Sequence, residues 1–183
     1  EPILDATREK SETHHEPIYG LPDDHVTVRL GKFDPALKGK SVTGRVEGGQ
    51  LIPYQKRGEI DAGAITENAK VLFWAADPLD VFILQVQGSG IAELPDGTRQ
   101  RIGFAGHNGH AYGSLGRWLI AEKELPANRA AWEDIRGWLE SNPDRARAAL
   151  AVNPRFIFFR ALDGGGPLGA AGVPLTAERS LAV

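Results

Sequence analysis

The chain has 183 residues, enough for one folded domain, since a domain of about 150 residues buries about 70% of the surface that its unfolded chain exposes. Its net charge is −3 and its basic residues are dispersed among acidic ones, which argues against a nucleic-acid-binding protein. The absence of cysteine excludes disulfide bonds, thiolate metal sites and a cysteine nucleophile, and no apolar run approaches the roughly 20 residues of a membrane-spanning helix.

The N-terminal third is predicted to contain short strands and polar loops. Residues 1–15 are polar and predict a strand that leads into a mobile loop, and the alternation in residues 26–30 predicts a half-buried strand. Residues 38–50 are rich in glycine and predict a short exposed hairpin, which we do not expect to be functional. Residues 57–63 predict a polar turn that begins as a helical cap.

The strongest β pattern lies in the middle of the chain. Residues 70–75 and 81–87 are apolar runs of strand length. Two further strands are predicted at residues 91–94 and 99–104, and the Asp-Gly pair at positions 96–97 between them predicts a tight hairpin.

The pattern then becomes helical. Ser114 is predicted to cap a helix, and apolar residues at helical spacing predict a second helix at residues 129–140. Pro143 fits the first turn of a third, short helix, and residues 155–160 predict a final strand.

Three segments place glycine and polar side chains next to these elements. In the first, two glycines surround Ser89 and allow a sharp turn whose backbone amides approach a polar ligand, although an ordinary turn explains the same residues. The second contains His107, Asn108, His110 and Tyr112. A zinc site is disfavoured there because no third ligand follows at a helical spacing. Hydrogen bonding to sugar hydroxyls and a turn that caps the next helix both remain open.

The third segment contains Tyr54, Arg57 and Glu59, which either line a cleft for an anionic sugar or form a surface ion pair. Among the carboxylates, Asp77 and Asp80 are the only pair that suggests general acid and base chemistry. Because Asp-Pro is more typical of a turn, we favour the turn.

In order and spacing, several stretches resemble the MltA family of lytic murein transglycosylases. The matching stretches are residues 57–63, 77–90, 106–117, 135–139, 153–160 and 172–183. The resemblance implies a two-domain enzyme, in which a β-barrel-like domain is inserted into a split double-psi β-barrel. This chain would then be mainly β with a few short helices, with residues 1–163 as the inserted domain and residues 164–183 as the start of the return into the split barrel.

The resemblance also implies a reaction and a partner. The family cleaves the β-1,4 bond between N-acetylmuramic acid and N-acetylglucosamine without water, and a single carboxyl acts first as acid and then as base to give 1,6-anhydro products. The family's catalytic aspartate belongs to a segment beyond the C-terminus of this chain, so we expect this fragment to bind glycan and to be inactive alone. A carbohydrate-binding module without catalytic function is the alternative.

By resemblance, the cleft is expected to be lined by Gln87, Gly88, Ser89, Gly90, Tyr54, Arg57, Glu59, Asn108, His110 and Tyr112. No cofactor and no metal are expected. The implied partner is the glycan strand of peptidoglycan, and we expect a monomer in the periplasm. Since the chain starts at Glu1 without a methionine or a signal-like segment, any targeting signal or lipid anchor to the outer membrane is expected upstream.

Overall fold

The computed structural model describes residues 1–162; the C-terminal segment predicted to return into a second domain lies outside this range. The strands are β1 (Ile3–Thr7), β2 (Glu16–Tyr19), β3 (His25–Arg29), β4 (Ser41–Glu47), β5 (Gln50–Pro53), β6 (Val71–Ala75), β7 (Ser89–Glu93), β8 (Arg99–His107) and β9 (Ile157–Ala161). The helices are α1 (Arg57–Asp61), α2 (Pro78–Gln87), α3 (Leu115–Ala121), α4 (Trp132–Ser141) and α5 (Pro143–Leu150).

Six strands form one sheet in the order β2-β6-β1-β7-β8-β9. The pair β1–β7 is parallel and the other pairs are antiparallel. A parallel bridge between Gly20 and Phe159 joins the two edges, so the sheet curves back on itself around buried side chains such as Leu4 and Ile102. The predicted fold, mainly β and barrel-like with a few short helices, is confirmed.

A smaller sheet, β3-β4-β5, stands beside the first. The hairpin β4–β5 turns at Gly48 and Gly49, both of which have positive φ angles. The predicted exposed hairpin is therefore confirmed, as is the Asp-Gly hairpin between β7 and β8.

The predicted helices at Ser114, at residues 129–140 and after Asn142 are confirmed as α3, α4 and α5. Ser114 caps α3 by accepting a hydrogen bond from the backbone N–H of Arg117 at 3.3 Å. Within the described range, no helix is long and apolar enough to cross a membrane.

The prediction of a strand at residues 81–87 is wrong, because this run belongs to helix α2. The Asp77 carboxylate accepts the first backbone N–H groups of the helix, and Pro78 occupies its first turn. Gly88 ends the helix in the left-handed conformation with φ +80°.

The apolar run resembled a strand because α2 is buried on two sides. Val81 and Leu84 pack into the core of the large sheet. Leu79 and Phe82 pack instead against α3, α4 and α5. A helix covered on two sides loses the one-sided apolar stripe by which an amphipathic helix is recognised.

The two ends of the described chain lie together. Arg101 donates a hydrogen bond through Nη2 to the Glu1 carboxylate at 3.0 Å, and its carbonyl accepts the N–H of Leu162 at 2.9 Å. The amide of Gln100 also donates to the carbonyl of Leu162, at 3.0 Å. The first and last described residues therefore lie on one side of this domain, at the strand β8.

Candidate functional site

The glycine-rich segment at residues 87–90 connects a helix directly to a strand. Helix α2 ends at Gln87, the N–H of Gly88 donates to the carbonyl of Leu84 at 2.8 Å, and β7 begins at Ser89. The sharp turn expected from the glycines is present, although it follows a helix and not a strand. Gln87 is exposed, and Ser89 is partly exposed.

This turn lies beside the two ends of the described chain. A Cβ atom at Gly90 would lie 2.6 Å from the side chain of Leu84 and 3.0 Å from the carbonyl oxygen of Pro2, so a larger residue would force both neighbours to shift. Ser89 pairs with Gly103 on β8, where a Cβ atom would lie 2.8 Å from the side chain of Leu162. The turn therefore occupies the side of the domain where Pro2 and Leu162 lie.

Arg57, at the start of α1, is buried with 3% of its surface exposed. Its Nε donates to the carbonyl of Asn153 at 3.0 Å, and its Nη2 donates to Gln85 Oε1 at 2.5 Å and to the carbonyl of Arg155 at 2.8 Å. One guanidinium thus ties α2 to the segment that precedes β9.

The same guanidinium lies against two aromatic rings, 4.7 Å from the centroid of Phe82 and 5.1 Å from that of Phe156. Burial lowers the pKa of Arg57 to about 10, and the charges of Asp61 and Tyr112 oppose this shift. Arg57 therefore stays charged at neutral pH, and its guanidinium hydrogen-bonds groups of the protein itself.

Asn108 follows β8 and is 1% exposed. Its Nδ2 donates to the carbonyls of Gln55 and Pro154, both at 2.8 Å. Its Oδ1 accepts the N–H of Phe156 at 2.9 Å. Asn108 therefore joins its own loop to two other segments, at Gln55 and at residues 154–156, and its side-chain amide is engaged within the protein.

His110 and Tyr54 continue this network. His110 Nε2 donates to the carbonyl of Tyr54 at 2.7 Å. The Tyr54 ring is buried in a small core and its hydroxyl donates to Asp24 Oδ1 at 2.7 Å. Burial, followed by the hydrogen bond and charge of Asp24, raises the pKa of Tyr54 above its ordinary value.

The carboxylates noted in the sequence bind partners within this domain. Glu59 is exposed and accepts the backbone N–H of Lys56 at 2.7 Å, which stabilises the first turn of α1. Asp80 pairs with Arg136 at 2.6 Å, and Asp77 pairs with the same guanidinium. Both aspartates therefore neutralise one arginine.

An open groove of about 310 Å³ starts next to the glycine-rich turn. We call it the Tyr112 groove; its lining residues are Arg57, Gln85, Val86, Tyr112, Asn153, Arg155 and Ile157. Tyr112 is 52% exposed and Val86 is 40% exposed, whereas Gln85 is buried. The groove thus combines an accessible aromatic ring with polar groups, a composition that suits a sugar.

Arg155, Gln85 and Val86 in this groove were not among the residues singled out from the sequence. Arg155 lay inside a predicted strand, but β9 begins only at Ile157. No signal in the sequence indicated that its side chain would face an open groove.

A second groove lies between the β4–β5 hairpin and the loop at residues 107–110. Gly109 has φ +84°, and a Cβ atom there would lie 2.8 Å from the carbonyl oxygen of Thr43. The hairpin that we expected to be non-functional therefore contacts the loop containing Asn108 and His110.

Comparison with known proteins identifies relatives over most of this chain. The family model described as the MltA specific insert domain matches residues 1–160. Membrane-bound lytic murein transglycosylase A of Escherichia coli K12 is 37% identical over 128 residues, which cover 69% of this chain and 35% of that protein. The protein of the same name from Vibrio cholerae is 28% identical over 183 residues, which cover 99% of this chain and 43% of that protein.

Solved structures agree with these matches. MltA from Neisseria gonorrhoeae has a TM-score of 0.88 at 32% identity, over 97% of this chain and 52% of that one. Escherichia coli MltA with bound chitohexaose has a TM-score of 0.73 at 30% identity, over 95% of this chain and 44% of that one. The chain spans about half the length of these structures and less than half the length of the curated relatives.

Proposed function

This chain belongs to the MltA family, and we propose that it forms one wall of the glycan cleft of a lytic murein transglycosylase. One observation carries the proposal: the turn at residues 87–90 lies beside both ends of the described chain, and the Tyr112 groove begins at Val86, directly before the turn. A flanking domain attached at those ends would face the turn, and ligands commonly bind between domains.

Within the wall, we assign two roles. Tyr112 stacks on a pyranose ring, while Gln87, Ser89 and the backbone at Gly88 and Gly90 hydrogen-bond the sugar's polar groups. Behind them, the hydrogen bonds of Arg57, Asn108, His110 and Tyr54 hold the wall in place, and Glu59 stabilises α1. A rigid wall lowers the entropy cost of ordering a glycan strand.

The proposed reaction is non-hydrolytic cleavage of the β-1,4 bond between N-acetylmuramic acid and N-acetylglucosamine, with 1,6-anhydro products. A single carboxyl protonates the glycosidic oxygen and then accepts the proton of the muramic C6 hydroxyl. Asp77 and Asp80 are occupied by Arg136, which supports a catalytic carboxyl from outside this domain. In this proposal the domain binds and orients the strand, and alone it is inactive.

The relatives are named membrane-bound, so we also propose that the complete protein works in the periplasm as a monomer, tethered to the outer membrane by a lipid anchor upstream. Peptidoglycan lies in that compartment. Residues 1–163 would be the inserted domain, and residues 164–183 would begin the return to the flanking one.

A domain exchange tests this function. Residues 1–160 replace the matching insert of Neisseria gonorrhoeae MltA, and the purified chimera is incubated with murein sacculi. We expect mass spectrometry to detect 1,6-anhydro muropeptides, whereas products with reducing ends would refute the proposal. The chain alone should bind sacculi and release nothing. A carbohydrate-binding module without catalytic function instead predicts binding by both proteins and release by neither.

A further inference from the structure

We propose that Arg155 forms a carboxylate subsite in the Tyr112 groove, through which the domain distinguishes acidic murein glycans from neutral chitin-like ones. This inference rests on the proposed function, because it takes the groove to hold a glycan strand. The inference adds which chemical group of the glycan the groove recognises, namely a carboxylate.

The Arg155 guanidinium has donors that no described residue uses. Among residues 1–162 it makes one hydrogen bond, from Nη1 to the carbonyl of His110 at 3.1 Å. A guanidinium carries five N–H groups in a planar fork that matches a carboxylate. Within residues 1–162, no carboxylate lies within 4.0 Å of Arg155 to form an ion pair.

Other arginines in this part of the chain differ from Arg155. Arg45, Arg101 and Arg136 are also partly buried, and each pairs with a carboxylate. Arg57 is fully buried and donates to protein acceptors. Among the partly buried arginines of residues 1–162, Arg155 thus differs in having no carboxylate partner, and its charge is available to an external anion.

The backbone around Arg155 is fixed at both ends of the residue. Its N–H donates to Asn153 Oδ1 at 3.2 Å, and its carbonyl accepts Nη2 of Arg57 at 2.8 Å. The next N–H, that of Phe156, is held by Asn108 at 2.9 Å. The fixed backbone and the hydrogen bond from Nη1 to His110 limit the positions of the guanidinium, which lowers the entropy cost of binding an anion.

Tyr112 and Arg155 line the same groove, so a glycan strand bound there can contact both. The ring of Tyr112 suits any pyranose, whereas a guanidinium favours a carboxylate by charge-assisted hydrogen bonds. N-acetylmuramic acid supplies such a group, either as a free lactyl carboxylate or on the peptide stem attached to it. A chitin oligomer has none.

The test measures binding of the 183-residue chain by calorimetry to three ligands: chitohexaose, peptide-free murein glycan with free lactyl carboxylates, and muropeptides that carry stems. The variant Arg155→Gln keeps hydrogen-bonding capacity and removes the charge. Arg29→Gln, at an exposed position on β3, is the matched control. We expect Arg155→Gln to lower the affinity for the acidic ligands by about tenfold or more, and the affinity for chitohexaose by less than about twofold.

Each outcome is decisive. If Arg155→Gln lowers the affinity for peptide-free glycan, Arg155 binds the lactyl carboxylate. If it lowers only the affinity for stem-bearing muropeptides, Arg155 binds a carboxylate of the stem. Equal weakening of chitohexaose and acidic ligands, or no weakening at all, overturns the subsite while leaving the proposed function intact. If the unsubstituted chain binds none of the ligands, the proposed function also fails. Should Arg155→Gln not fold, Arg155→Lys retains the charge, and it must keep a preference for acidic ligands.

Discussion

Arg57 and Gln85 lie 28 positions apart in the sequence and meet inside the domain, where Arg57 Nη2 donates to Gln85 Oε1 at 2.5 Å. Gln85 belongs to α2, just before the glycine-rich turn, and Arg57 also holds the carbonyls of Asn153 and Arg155. The contact therefore connects the two parts of the proposed glycan wall, namely the turn and the segment that presents Arg155.

Replacing Arg57 is expected to weaken the whole wall. Arg57→Ala leaves two buried carbonyls and the Gln85 amide without donors, and we expect the free energy of unfolding to fall by about 3 kcal/mol or more. Arg57→Lys should be intermediate, since an ammonium cannot reproduce the planar fork. Urea denaturation measures both, with Arg29→Ala as control. A loss below about 0.5 kcal/mol would contradict this role.

Asn108 offers a second test of the wall. Asn108→Asp has the same shape but loses both donors to the carbonyls of Gln55 and Pro154 and places a charge against them. We expect a loss of about 2–4 kcal/mol in the free energy of unfolding. Asn128→Asp, at an exposed position, should stay within about 0.5 kcal/mol. If both variants behaved alike, the Asn108 network would contribute little.

Three glycines should respond differently to alanine. At Gly88 the space is open but φ is +80°, so we expect Gly88→Ala to cost about 1–2 kcal/mol. At Gly90 the new methyl would meet Leu84 and Pro2, and we expect a larger loss. Gly137→Ala, inside α4 with open space, should stabilise by up to about 1 kcal/mol. Thermal unfolding of the three variants tests this order.

The sequence predicted those helices and strands whose residue pattern acts on neighbouring residues in the chain. Ser114, the Asp-Gly hairpin and Pro143 act on their immediate neighbours, and the elements that they predict are present. Helix α2 was mistaken for a strand because its burial on both sides depends on elements distant in sequence.

At the candidate site, too, the sequence did not predict what depends on contacts between distant residues. The sequence suggested Arg57 as a cation for an anionic sugar, but the guanidinium is buried and engaged within the protein. Arg155, 98 positions from Arg57 along the chain, lines the same groove and is only partly buried. Which arginine is accessible depends on tertiary packing, and no local pattern encodes it.

The charge of Arg155 should be detectable at His107. Burial, then the charges of Arg155 and His25, lower the pKa of His107 below its ordinary value of 6.5. We therefore expect Arg155→Gln to raise this pKa, as measured by NMR titration of the ring. Because the unfolded chain binds this proton more tightly, the contribution of His107 to stability is present above about pH 6.5 and declines as the pH falls through the folded pKa. An unchanged His107 pKa would show that the two groups do not interact.

Tyr112 gives the most direct test of sugar stacking. More than half of this side chain is exposed, at 52%, and its hydroxyl makes no hydrogen bond with the described residues, so truncation should barely affect stability. If the ring stacks on a pyranose, Tyr112→Ala should weaken chitohexaose binding by roughly 1–2 kcal/mol, whereas Tyr112→Phe should retain most of the affinity. Phe33→Ala, which removes a ring that is 79% exposed outside the groove, is the matched control. Because stacking needs no charge, the loss for Tyr112→Ala should be equal for neutral and acidic glycans, unlike that for Arg155→Gln. A loss restricted to acidic glycans would mean that Tyr112 acts only by supporting Arg155.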